Sequence, residues 1–287
     1  MVSKSGALVI QGGGTRGIFA AGVLDALMDE NIDFECIAGT SAGCLAAYNF
    51  VSGDRGRTKR FVIECMQEKD FASFGNLLRK GSYFNFDYMF DNVPKRIPIN
   101  MERFNANPIL FYCGTTGLAD GKAHYFEKSD PNFNDAIAAS SSLPLISSPV
   151  KVGEHLFLDG LCVCPIPFRV ALEKGYEKIV VVLTRHRDYR KKKLPKSELL
   201  AYKAKFRKHK KFLEAALAMN EEYNKDTEEI FELEKQGRVF VISPETPPTI
   251  GRSEKNKAKL EELYQQGFDV AKKQMADLKR FLGLTDE

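Results

Sequence analysis

The 287-residue chain has no stretch of about 20 predominantly apolar residues, the length a helix needs to cross a bilayer. Its longest uncharged run, Cys36 to Gly53, is broken by glycines and polar residues. The opening Met1-Val-Ser-Lys-Ser-Gly runs at once into a short apolar segment, with neither an h-region nor a small-residue cleavage site. Export is therefore not expected, and the predicted location is the cytoplasm, with peripheral contact at the inner membrane face. The six cysteines lie largely in apolar runs and read as reduced core thiols. Cys162 and Cys164 are spaced C-x-C, but no second Cys or His pair stands near to close a tetrahedral site, so no metal is expected. Histidine is scarce, with only His124, His155, His186 and His209 available for acid–base work.

What is present is enough apolar material, 44% of residues, for a substantial core. The net charge of +4 is uneven: Arg185 to Lys211 holds thirteen Lys or Arg against Asp188 and Glu198, which leaves the remainder at −7. This basic segment reads as a contact for anionic membrane or as a solvated loop and helix start; nucleic-acid binding is not expected.

Apolar Gly6 to Ile10, a glycine cluster, and helical spacing over Gly17 to Asn31 predict a strand, a tight turn and a helix. The sequence repeats this with a strand over Phe34 to Ala38, a sharp turn at Gly39 to Gly43, and a helix over Ala42 to Val51. Such alternation predicts an α/β fold, a three-layer sandwich around a mainly parallel sheet. Gly53 to Asn107, aromatic and without alternation, reads as a helical cap insertion. Strands are predicted at Ile109 to Thr116, His124 to Glu127, Leu156 to Leu158, Ile179 to Thr184 and Arg238 to Ile242. Long helices are predicted over Lys210 to Gln236 and Glu254 to Leu282, the second packing one face onto the body.

Gly39-Thr40-Ser41-Ala42-Gly43 fits G-x-S-x-G between a predicted strand and a predicted helix. That context suits a nucleophile elbow, where small neighbours let a serine sit on a strained turn with its hydroxyl outward. Gly12-Gly13-Gly14-Thr15-Arg16-Gly17 also satisfies G-x-G-x-x-G, the dinucleotide-binding pattern. That reading wants an acidic residue closing the second strand, yet Asp33 and Glu35 stand at its beginning. The same loop suits an oxyanion, through backbone N–H groups at a helix N-terminus. Asp159-Gly160 ends another apolar strand and alone reads as a turn.

Taken in order, Gly12 to Gly17, Gly39 to Gly43, Ala139-Ser-Ser-Ser-Leu-Pro144 and Asp159-Gly160 with Pro167 downstream resemble the patatin-like phospholipase family. The resemblance covers roughly Gly6 to Thr184. It implies a serine ester hydrolase of lipid acyl chains, with Ser41 as nucleophile, Asp159 as dyad partner, and Gly12, Gly13, Gly14 and Arg16 as the oxyanion loop. It implies a catalytic domain over 1–250, containing the cap at 53–107 and the basic segment at 185–211, followed by a helical appendage at 251–287. No cofactor is needed, and the substrate is an acyl ester lipid. The alternative is a non-catalytic lipid- or nucleotide-binding regulatory protein on the same fold. Leu161 departs from the Asp-Gly-Gly or Asp-Gly-Ala usual in the family, and Cys164-Pro165 stands where asparagine is frequent.

Histidine offers a rival base. His124 and His155 lie in or beside predicted strands, and His155 is four residues from Asp159, about 13 Å along an extended chain; His209 sits among lysines, which leaves His186, after a strand end, as the candidate for a full triad. Without it, Asp159 must take the proton itself, which partial burial would favour by raising its basicity.

Overall fold

The computed structural model describes residues 3–4 and 6–284. After a two-residue strand β1 (Ser3–Lys4), strand β2 (Ala7–Ile10) carries four apolar side chains, all buried. Burial on both faces is what a parallel strand covered by helices on each side requires. The glycine loop and a 3-10 turn over Gly14–Gly17 lead into α1 (Ile18–Asp29). Strand β3 (Ile32–Asp33) pairs with β1; β4 (Cys36–Thr40) runs parallel beside β2, and α2 (Ala42–Val51) follows after a single residue, Ser41.

The predicted insertion is helical, but in short pieces. Helix α3 (Arg57–Arg60) continues as π-helix through Phe61–Cys65, and α4 (Phe74–Lys80) ends on left-handed Gly81. A second π-helix at Tyr88–Asn92 runs into α5 (Val93–Arg96), and α6 (Met101–Ala106) completes the segment. Its aromatics pack ring against ring, as Phe71 does on Phe61 and Phe84 at 5.5 Å, and such a cluster imposes no single helical stripe.

Beyond it come β5 (Leu110–Gly117), β6 (Ala123–Glu127), α7 (Phe133–Ser140), β7 (Val150–Val152) and β8 (His155–Asp159). They are followed by α8 (Phe168–Glu173), β9 (Ile179–Val182), α9 (Lys196–Phe206), α10 (Lys210–Lys235), β10 (Val239–Ile242) and α11 (Lys257–Leu282). The main sheet runs β10-β9-β2-β4-β5-β8-β7, with β6 also on β5. The pairings from β10 to β5 are parallel, and β6, β7 and β8 add antiparallel ones. One face packs on α1, α2 and α11, and the other on α8 and α10, so the predicted three-layer α/β/α architecture holds. Strand β7 and helices α7, α8 and α9 add to the elements read from sequence. The charge of α9 hid it, since only Tyr202 and Phe206 of its eleven residues are buried.

Helix α11 lies against α1 at a crossing that only glycine permits. A Cβ on Gly22 would strike the Tyr264 carbonyl, and one on Gly267 the Phe19 carbonyl. The approach also brings the Tyr264 hydroxyl to donate to Asp25 Oδ2 at 2.6 Å, closing a buried polar contact inside the seam.

Candidate active site

The site forms where parallel strands end and their helices begin, the region in which open α/β sheets bind ligands. Ser41 is the single residue between β4 and α2 and has φ 55°, ψ −126°, a conformation costly for any residue but glycine. The turn closes because its neighbours are small. A Cβ on Gly39 would lie 2.7 Å from Cys44 N, and one on Gly43 would strike the Ile10 carbonyl. Ser140, at the end of α7, holds the elbow from the far side: its Oγ accepts from Ser41 N at 2.8 Å and donates to Gly114 O at 2.7 Å. The Thr40 hydroxyl donates to Cys164 O at 2.7 Å.

Register explains how Asp159 reaches the same place. Strand β6 takes one edge of β5, so β4 and β8 share the other edge end to end, with Thr40 opposite Gly114 and Asp159 opposite Thr115. Consecutive residues of β5 thereby set the serine turn beside the aspartate. Asp159 is fixed through its backbone, its N–H donating to Ser142 O at 2.9 Å and its carbonyl accepting from Thr116 Oγ1 at 2.8 Å. Gly160 is hemmed in by Gly114 O, Thr40 Cγ2 and Cys164 Sγ, all within 3 Å of where its Cβ would be.

The Asp159 carboxylate is fully buried, and Oδ1 accepts from Leu161 N at 2.8 Å. Oδ2 has no hydrogen-bond partner among the described residues. The Ser41 side chain faces this carboxylate closely enough to favour its charged form, without completing a full hydrogen bond to Oδ2. Burial dominates and pushes the Asp159 pKa up to about 7, opposed by the Leu161 N–H, by Ser41, and by the charges of Arg252 and Lys191. A carboxylate so poised can accept a hydroxyl proton near neutral pH.

In the glycine loop, Gly12 N–H already donates to Pro165 O at 3.1 Å and Thr15 N–H to Arg252 O at 3.0 Å. Among the described residues the Gly13 and Gly14 amides donate to no backbone carbonyl, and Ala42 starts the neighbouring helix. Arg16 is buried with its Nε unpartnered among the described residues, and its pKa falls to about 9 through burial and then through Arg185 and Arg252. The two departures noted in the sequence act through their backbone: Leu161 supplies an N–H to Asp159, and Cys164 and Pro165 supply carbonyls to Thr40 and Gly12.

Histidine stays out of the arrangement. His186 Nδ1 lies 3.6 Å from Asp188, and His186 lines a smaller recess with Pro247 and Pro248 rather than the cleft that holds Ser41, although the two share Arg185 and Tyr189. His124 pairs with Asp120 at 2.9 Å, and His155 and His209 are exposed. Among the described residues, no cluster of three or more His, Cys, Asp or Glu could hold a metal ion.

Ser41, Asp159, Gly12 to Gly14 and Arg16 all line one cleft of about 880 Å³, at the upper end of small-molecule sites. Leu45, Phe61, Phe71, Phe84, Leu143 and Ile146 give it an apolar wall. Ser140 is the residue of this arrangement that the sequence did not single out. It stands inside the quoted Ala139-Ser-Ser-Ser run, but nothing there separates its hydroxyl from those of Ser141 and Ser142.

Fold and site together define a three-layer α/β protein whose strained serine faces a buried carboxylate in a large, mainly apolar cleft. A family profile described as patatin-like phospholipase matches residues 8–172, more than half of the chain, and the chain belongs to that family. A second profile, for a domain of unknown function (DUF6363), matches residues 209–283. The uncharacterized protein YjjU of Escherichia coli is 29% identical over 184 residues, covering 62% of this chain and 51% of its own. Lysophospholipase NTE1 of Debaryomyces hansenii is 28% identical over 191 residues, covering 63% of this chain and 12% of the fungal protein. The chain thus spans about half the length of the first relative and about an eighth of the second. In fold it is similar to VipD from Legionella pneumophila, with a TM-score of 0.50 at 11% identity, covering 96% of this chain and 67% of that one.

Proposed function

We propose that the protein hydrolyses fatty-acyl esters of lipids through a Ser41–Asp159 dyad. Ser41 Oγ attacks the ester carbonyl as Asp159 takes its proton, the alcohol leaves with that proton, and water activated by Asp159 then releases the acyl group from Ser41. Gly13, Gly14 and Arg16 meet the oxyanion. The observation that carries this reading is the buried Asp159 carboxylate, whose Oδ2 is unpartnered beside a serine held at positive φ. A base that must accept a proton needs a free lone pair, and the fold bears the cost of leaving one.

The membrane expectation for the basic segment belongs to the same reading. Lys196, Lys203, Lys205, Arg207, Lys208, Lys210 and Lys211 are exposed around Leu200, itself 65% exposed. Such a patch suits docking to an anionic bilayer. Among the described residues, no helix is long and apolar enough to cross one.

A fluorophosphonate probe followed by peptide mass spectrometry tests the nucleophile. The adduct is expected on Ser41 and absent from Ser41→Ala; an adduct on another serine, or equal labelling of the variant, contradicts the assignment.

A further inference from the structure

The basic segment divides in two. Its part from Lys196 onward is mostly exposed, but Arg185, Arg190, Lys191, Lys192 and Lys193 line the cleft with Arg16 from the glycine loop and Arg252 from the approach to α11. Of these, Arg185 and Arg252 stand near enough to Arg16 and Lys191 to act on both electrostatically. Three distant stretches of chain thus bring four mutually interacting cations, Arg16, Arg185, Lys191 and Arg252, into the cavity that also carries the apolar wall. Among the described residues none of the four has a carboxylate partner, whereas neighbouring Arg187 pairs with Glu234 and Arg190 with Glu228. The acids that line the cleft are Asp159, committed to Ser41 in the reading above, and Glu198.

The four repel one another. Arg252 and Arg185 each depress Arg16 and Lys191, adding to the larger effect of burial, and Lys191 falls to about 8. The fold therefore concentrates uncompensated positive charge beside the serine, an arrangement that an anion of matching charge would relieve. Two ring faces of a kind that receive cationic head groups are already covered: Arg185 lies over Tyr189 at 4.2 Å and Lys191 over Tyr223 at 4.4 Å.

We propose that Arg185, Lys191 and Arg252, next to the oxyanion arginine Arg16, form a head-group subsite for the phosphate of an acyl ester that carries no compensating ammonium, such as an acylglycerol phosphate. The proposal rests on the hydrolase reading for its substrate class. Guanidinium forks suit phosphate oxygens in pairs, and Lys191 adds a point charge. With the phosphate held there, the acyl chain extends along Leu45, Phe61, Phe71 and Phe84 and the ester lies across Ser41.

Binding to the full-length Ser41→Ala protein tests this without turnover, using lipids kept monomeric so that no charged surface contributes. Calorimetry compares octanoylglycerol phosphate, octanoylglycerophosphocholine, mono-octanoylglycerol and inorganic phosphate. The phosphate lipid is expected to bind at least about ten-fold tighter than the choline and neutral lipids, the worth of one charge-assisted hydrogen bond. Arg252→Gln should erase most of that margin, Arg252→Lys should restore part of it, and affinity for the neutral lipid should not follow. Arg252 is exposed, and only its backbone carbonyl is used by Thr15, so its side chain can change without unfolding the loop. Arg185→Gln serves as a second variant with the same expected outcome. Equal affinity for the three lipids, or variants that weaken all three alike, overturns the subsite. Inorganic phosphate binding as tightly as the phosphate lipid overturns the head-group assignment in favour of a free-anion site. Hydrolysis of p-nitrophenyl butyrate by the unmodified protein reports on the hydrolase reading separately, since that ester has no head group.

Discussion

Ser140 holds Ser41 by its backbone: one hydroxyl takes the Ser41 amide at 2.8 Å and passes its own proton to Gly114 O at 2.7 Å, tying the elbow to β5. Ser140 is fully buried, so no water replaces a lost partner. Ser140→Ala should destabilise the protein by about 1–3 kcal/mol, the cost of stranding a buried donor and acceptor. Its kcat should fall more than its KM changes, because the elbow relaxes while the cleft walls stay. Thermal denaturation and steady-state kinetics on one preparation check both; an unchanged melting point contradicts the buried relay.

Burying Asp159 costs stability in proportion to its charge. Its folded pKa of about 7 stands above the ordinary 3.8, so the native state binds the proton more tightly than the unfolded chain. The associated stability is complete below about pH 4 and is lost as pH rises through about 7. Asp159→Asn removes that titration. Relative to the unmodified protein it should gain on the order of 1–4 kcal/mol between pH 5 and pH 8. Denaturant melts at the two pH values read this directly; a difference independent of pH contradicts the raised pKa.

The α1–α11 seam predicts a contrast between glycines. Gly267→Ala places a methyl against the Phe19 carbonyl and should cost about 1–3 kcal/mol or more, as overpacking of a close helix crossing does. Gly251→Ala meets nothing within 4 Å and should be nearly silent. Calorimetric melting of both variants settles the comparison, and equal stability of the two would contradict the tight crossing.

Membrane docking through the exposed lysines should depend on salt and lipid charge. Sedimentation with phosphatidylglycerol vesicles is expected to fall as salt rises and to be negligible with phosphatidylcholine. Binding indifferent to both would remove the electrostatic account.

Much of the sheet was legible because its central strands are short, apolar runs bounded by glycine, and Ser41 stood out because G-x-S-x-G sits between a strand and a helix. The two long C-terminal helices showed their stripes through residues such as Leu260, Leu263, Met275 and Leu278. What the sequence could not carry was tertiary. No local pattern says that β4 and β8 meet end to end along β5, yet that register is what brings Thr40 and Asp159 together. Helix α9 was hidden by its lysines, and the inward turn of Arg185 and Lys191 looked like the rest of a basic stretch. Ser140 was one serine among three until the fold aimed its hydroxyl at the Ser41 amide.

The central claim is that a carboxylate alone is the base. Since Asp159 titrates near 7 and a free imidazole near 6.5, a rising pH limb does not separate them. The turnover of Asp159→Asn beside His186→Ala does. On p-nitrophenyl butyrate, kcat of Asp159→Asn should fall by a factor of about 10² to 10⁴, the usual share of a general base, while His186→Ala stays close to unmodified. An active Asp159→Asn enzyme, or a folded but inactive His186→Ala enzyme, would contradict the dyad.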